Sequence, residues 1–214
     1  MDTRPVRLIA VTDGDDVACR AVEMAAASLG LRTISRSAGN PTRLSGETIA
    51  ELCRQAAWDP VVLMVDDRGR PGPGPGELAL RDLSDDPEVR LLGVVAVASN
   101  TLGTTGTKVD RSVAANGDVV NHPVNKDGQP TPKRPRLLGD TVDIVPRLAA
   151  PIIVGLGDLG KGPDGLDKGA PLTRRALEEI LRYHGLTPPC GPDRCGHIVA
   201  PQPPSDRNTT VRRR

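Results

Sequence analysis

Aspartates gather where apolar runs of this chain stop. Residues 6–11 run into Thr12-Asp13-Gly14-Asp15-Asp16, and residues 61–65 run into Asp66-Asp67. Two carboxylates one residue apart, faced by a second adjacent pair, make an all-oxygen donor set. Such a set suits Mg²⁺, a hard cation that keeps several of its waters. Asp13, Asp15, Asp66 and Asp67 are therefore the candidate metal ligands, with Mg²⁺ as the cofactor they would take. Aspartate also caps helices and turns loops, so capping by Asp15 or Asp16 is expected with or without a metal. A second polar group joins Ser35, Arg36, Ser37, Gly39 and Asn40 with Ser99, Asn100 and Thr101, each set following an expected strand. Hydroxyls, amides and one guanidinium at a sheet edge suit an anionic small molecule, because Arg binds planar oxyanions through two parallel hydrogen bonds. The alternative for the same residues is loop stabilisation through hydrogen bonds to backbone.

Two further constellations carry less. Gly155-Leu156-Gly157-Asp158-Leu159-Gly160-Lys161 has the spacing of neither the dinucleotide nor the P-loop fingerprint. Cys190, Cys195 and His197, with His184, offer zinc-type donors, but no second matching pair of ligands completes the usual pattern. They read as redox-prone thiols in a flexible tail.

The elements that must position these residues follow from the same runs. Residues 6–11, 61–65, 91–98 and 151–154 are short and apolar on both faces, which is the pattern of parallel strands buried on both sides. Their carboxyl ends then share one sheet edge, where open α/β sheets hold ligands. Val17, Ala18, Ala21, Val22, Ala25 and Leu29 recur at helical spacing, and Gly30 stands as a helix stop. Residues 31–35 form a further strand. Ser45 reads as an N-cap, with Leu44 and Ile49 as a hydrophobic staple and Pro60 ending that unit. Residues 77–83 form a short helix after the Gly- and Pro-rich loop 68–76. Residues 108–113 and 118–124 form a hairpin turning at Asn116-Gly117, and residues 130–136 are a basic, Pro-rich loop. A terminal helix over 173–183 points Ala176, Leu177, Ile180 and Leu181 inward and Glu178, Glu179 and Arg182 outward. The expected architecture is α/β, a mainly parallel sheet flanked by helices with a β-hairpin insertion. Residues 1–185 form one domain, and 186–214 a disordered, Pro-rich tail.

Composition sets the outer bounds. With 214 residues, 37% of them hydrophobic, the chain can bury one good core. Phe is absent and there is one Trp and one Tyr, so that core is built of Val, Leu, Ile and Ala. A formal net charge of +1 gives no global pull toward nucleic acid, and no nucleic-acid partner is expected. The longest apolar stretch is about eight residues against the roughly twenty of a spanning helix. The start of the chain lacks the pattern of a signal peptide.

Two resemblances attach to these residues. Val11-Thr12-Asp13-Gly14-Asp15-Asp16-Val17-Ala18-Cys19-Arg20-Ala21 resembles the acidic turn of Toprim domains. That resemblance implies a Toprim-like sheet, and as an alternative activity Mg²⁺-dependent phosphoryl transfer or hydrolysis. A broader resemblance is carried by Val11-Thr12-Asp13-Gly14-Asp15, by Ile34-Ser35-Arg36-Ser37-Ala38-Gly39-Asn40-Pro41-Thr42 and by Val97-Ala98-Ser99-Asn100-Thr101. Gly139-Asp140-Thr141-Val142-Asp143 and residues 151–161 extend it in the same order. Together these blocks resemble the stage V sporulation protein AE family, the soluble AE-type members of the spore germination and dipicolinate-uptake system. The resemblance implies a non-enzymatic accessory protein of spore formation and germination, partnered with proteins of the stage V membrane complex. It also implies a cytoplasmic location in the forespore, or a peripheral one at the spore inner membrane. No His or Glu occurs in the matched loops, so a general base beside a metal is missing from this pattern.

Overall fold

A computed structural model describes residues 4–70, 73–158 and 170–187. The expected strands form, and they are parallel. β1 (Val6–Val11), β3 (Val61–Met64), β4 (Val89–Val97) and β7 (Ile153–Leu156) lie side by side in a seven-stranded sheet. Its order is β2-β3-β1-β4-β7-β5-β6, with β2 at Arg32–Thr33, β5 at Arg111–Val113 and β6 at Val119–Val120. All of β3 and the last seven residues of β4 are buried, as runs covered on both faces require.

Register brings the carboxyl ends together. Val11 lies opposite both Met64 and Val95, and Val97 lies opposite Leu156. The chain builds β2 and β3 on one side of β1 and then β4 on the other. β1 thus stands where the strand order reverses, the place where open α/β sheets form a crevice.

Helices cover both faces. α1 (Asp16–Ser28) and α4 (Pro171–Tyr183) contact one another over one face, with Ala18, Val22, Leu177 and Ile180 in its core. α2 (Gly46–Arg54) and α3 (Pro75–Asp85) cover the other with Ile49, Cys53, Leu80 and Leu83. α1 ends as Gly30 suggests: Gly30 has φ +67°, and the Gly30 and Leu31 amides donate to Ala27 and Ala26 carbonyls. Ser45 caps α2 through a 3.2 Å bond from Thr48 N.

Several expectations shift at their boundaries. The strand expected over 31–35 keeps only Arg32–Thr33, because Ser35–Ser37 tightens into a 3₁₀ turn whose buried Ser37 Oγ accepts the Met64 amide at 2.8 Å. The helix expected over 77–83 extends to Pro75–Asp85, with proline in its first turn, where a missing N–H costs nothing. The hairpin turns at Asn116-Gly117 as expected, Gly117 taking φ +86°, but its strands are shorter than the expected runs. Glu179, expected to face outward, is 1% exposed, because Arg111 from β5 reaches over to pair with it. Among the described residues no helix is long and apolar enough to cross a membrane. The Cys190, Cys195 and His197 group and the Pro-rich segment from 188 onward lie outside the described residues.

α3 sits so close to β3 that only glycine fits at one contact. A Cβ on Gly76 would lie 2.8 Å from Asp66 N and 2.9 Å from Asp66 O. Gly76→Ala should therefore push α3 off the sheet and destabilise the fold by about 1–3 kcal/mol. A lowered urea midpoint with little change in helix content is the expected readout; an unchanged midpoint would contradict the contact.

Candidate functional site

Each of the loops after β1, β3, β4 and β7 brings a polar residue to the carboxyl edge within two residues of its strand: Thr12, Asp66, Ser99 and Asp158. Thr12 Oγ1 accepts the Val97 amide at 2.9 Å, tying the end of β1 to the end of β4. Asp66 is 5% exposed. Its Oδ2 accepts from Gly14 N at 3.2 Å and its Oδ1 from Arg68 N at 2.6 Å. Ser99 Oγ accepts from Asp140 N at 3.0 Å and pairs with Thr101 Oγ1 at 2.8 Å. The Gly69 amide donates to Asp140 Oδ2, joining the loop after β3 to the segment around Asp140.

These residues enclose a cleft of about 180 Å³. Asp13, Asp66, Asp140 and Asp158 line it, with Thr12, Ser99, Thr101 and Asn40 supplying neutral oxygen and amide groups. No Lys or Arg is among the described lining residues. Asp140 Oδ1 is buried with no hydrogen-bond partner. Burial lifts the Asp140 carboxyl from 3.8 to about 6. The Gly69 amide opposes that rise, and the charges of Asp66 and Asp67 reinforce it.

The four expected metal ligands divide into two pairs. Asp13 and Asp66 line the cleft. Asp15 and Asp67 instead satisfy helix N-termini: Asp15 Oδ1 accepts the Val17 and Ala18 amides, both at 2.9 Å. Asp67 accepts the Gly76 amide at 2.6 Å and the Glu77 amide at 3.2 Å at the start of α3. First-turn amides lack intrahelical partners and favour negative charge, so these two carboxylates are already engaged. Burial nevertheless raises the Asp67 carboxyl, with the Gly76 amide pulling the other way.

The second polar group also divides. Asn40 and Ser99 join the carboxylates in the cleft, merging the two constellations into one site. Ser35 Oγ donates to Glu23 at 2.5 Å, Ser37 is used by Met64, and the Gly39 amide donates to Gly14 O at 2.8 Å. Arg36 and Asn100 are exposed outside the cleft.

Asp140 and Asp158 were missed as site residues. Asp158 ends the fourth apolar run just as Asp13 and Asp66 end theirs, so the same rule finds it. Asp140 follows no strand, and only the fold brings it over the edge.

A lining rich in carboxylate and hydroxyl oxygens, with Asp140 Oδ1 unpartnered, fits a hard cation such as Mg²⁺ or Ca²⁺. Direct ligation by several acids does not fit: among the described residues, no three His, Cys, Asp or Glu side chains are close enough to hold a metal ion together. The arrangement suits a cation held through its own water shell, because Mg²⁺ sheds its waters reluctantly and few carboxylates can reach it directly.

An α/β protein with an acidic crevice at the point where its strand order reverses is the class these features define. The family model for stage V sporulation protein AE1 matches residues 7–183, and the chain belongs to that family. It is therefore a sporulation-related protein. No curated protein and no solved structure matches the chain.

The Asp140 environment yields a pH signature. The folded chain holds the Asp140 proton more tightly than the unfolded chain, so its ionised form is a destabilising charge above about pH 6. That cost fades as the pH falls toward 3.8. Asp140→Asn keeps an oxygen for the Gly69 amide and removes the charge. It should stabilise the protein by on the order of 1 kcal/mol at pH 8 and change little near pH 4. Unfolding midpoints across that range test the sign; a variant less stable than the parent at pH 8 would contradict it.

Proposed function

We propose that this sporulation protein is a non-catalytic binding component of the dipicolinate-uptake and release machinery, and that its acidic cleft takes up a hydrated divalent cation. The carrying observation is the set of four aspartates around one cleft, Asp13, Asp66, Asp140 and Asp158, with Asp140 Oδ1 buried and unpartnered. That charge favours a cation there over the anionic small molecule that Ser35, Arg36 and Asn40 suggest in the sequence. A binding role is supported by what surrounds the acids. Thr12 Oγ1 and Ser99 Oγ, two of the hydroxyls lining the cleft, accept backbone amides, and no His or Glu is among the described lining residues. Neither hydroxyl is therefore paired with a base in the way an activated nucleophile requires.

The family places the protein in spore processes, and the resemblance to the dipicolinate-uptake system supplies the finer setting. We assign it to the spore inner membrane, peripherally, beside membrane-embedded proteins of the stage V complex.

Calorimetric titration of the purified full chain with Mg²⁺ and Ca²⁺ should give weak, saturable binding with a dissociation constant on the order of 10⁻³ M, as for a site with few direct ligands. The Asp13→Asn/Asp140→Asn double variant should lose that binding while keeping its far-UV circular dichroism. Cells carrying the same variant should form spores with lowered dipicolinate content and slowed germination. Unaltered cation binding in the double variant would overturn the site. Normal spores from a strain lacking the gene would overturn the assignment to dipicolinate handling.

A further inference from the structure

A second charged cluster lies on α4 and β5, and none of its residues lines the acidic cleft. Glu179 is its centre. An ionised carboxylate buried to this degree costs several kcal/mol unless cations surround it closely. Arg182 Nη1 lies 2.6 Å from Glu179 Oε1, Arg111 Nη1 lies 2.8 Å from Oε2, and Arg175 Nη2 lies 3.5 Å from Oε1. One turn earlier Arg174 Nε pairs with Glu178 Oε1 at 2.9 Å, and Arg175 also reaches Glu178 at 3.7 Å. Four guanidiniums thus face two carboxylates, leaving a local charge of +2. Asp110, next to Arg111 in sequence, turns its Oδ2 to the Ile153 amide at 2.7 Å, and among the described residues it forms no ion pair with these arginines.

The carboxylate uses little of what the arginines offer. Each guanidinium carries five N–H donors in a rigid fork. Glu179 takes one hydrogen bond from Arg111 and one from Arg182. The three side chains remain open to solvent, at 37% for Arg111, 36% for Arg175 and 58% for Arg182. A buried acid that gathers three cations and, among the described residues, leaves their outer donors unengaged is a pre-organised receptor for a second anion. It holds the guanidiniums against their mutual repulsion before any ligand arrives. Its charge excess matches a dianion, and three forks match a tetrahedral group that presents three oxygens.

We propose that Arg111, Arg175 and Arg182, gathered around Glu179, form a binding site for the dianionic phosphate monoester group of a ligand. The same chemistry is offered by a soluble phosphorylated compound and by a phosphomonoester lipid headgroup. Two arms of one experiment separate them.

In the first arm the full chain is titrated with inorganic phosphate at constant ionic strength, with chloride as the control anion. In the second it is mixed with phosphatidylcholine vesicles with and without phosphatidic acid. Saturable phosphate binding without vesicle binding assigns a soluble ligand. Retention on the phosphatidic acid vesicles alone assigns the headgroup. In either case Arg175→Gln/Arg182→Gln should weaken the interaction at least tenfold. Arg182→Lys, which keeps the charge and loses the fork, should weaken it several-fold with an unchanged melting temperature. Glu179→Gln removes the organising charge without removing a cation, and it should weaken binding despite raising the net positive charge. The proposal is overturned by no response in both arms, by binding that chloride matches, or by full affinity in the Arg182→Lys protein.

Discussion

Everything at the carboxyl edge depends on β1 being paired in register on both sides. Val11 faces Met64 in β3 and Val95 in β4, so β1 and β3 end level with one another and β4 runs two residues further at the same edge. The bond from the Val97 amide to Thr12 Oγ1 carries that alignment one residue past the sheet. The fold must then tolerate aspartates crowded where like charges repel. It does so by surrounding them with backbone amides: Gly14 and Arg68 donate to Asp66, Gly76 and Glu77 to Asp67, and Val17 and Ala18 to Asp15. Close approach of these loops explains the small residues there. A Cβ on Gly14 would come within 2.9 Å of Gly39 O and 3.2 Å of Asp66 Cβ.

The part of this arrangement that was legible in the sequence is the part written locally. Strands covered on both faces appear as unbroken apolar runs, so β1, β3, β4 and β7 and their shared edge could be read directly. The helix stop at Gly30, the Ser45 cap and the Asn116-Gly117 turn are likewise set by one or two residues. What the sequence concealed depends on distant partners. Asp15 and Asp67 look like metal ligands until the positions of their helix amides are known. Asp140 belongs to no strand, and it enters the cleft because Ser99 and Gly69 hold it there. Glu179 follows the polar spacing of a surface helix position, yet it is buried because the β5 hairpin brings Arg111 against it.

The molecule carries opposite charge in two places. Aspartates line the crevice beside β1, while arginines cluster on α4 and β5. A formal net charge of +1 hides both, because it sums over regions that act separately. The chain belongs to the stage V sporulation protein AE1 family, and the two clusters are separate features of its one sheet-and-helix body. Backbone amides hold the aspartates, and ion pairs to Glu178 and Glu179 hold the arginines.

Crystals grown with Mn²⁺ test the cation reading of the crevice most directly, because the ion's anomalous scattering locates it without reference to binding heat. The expected result is a peak inside the cleft, bounded by Asp13, Asp66 and Asp140 and separated from most of their oxygens by ordered water. A map with no peak there, or with Mn²⁺ only at exposed surface carboxylates, would contradict it.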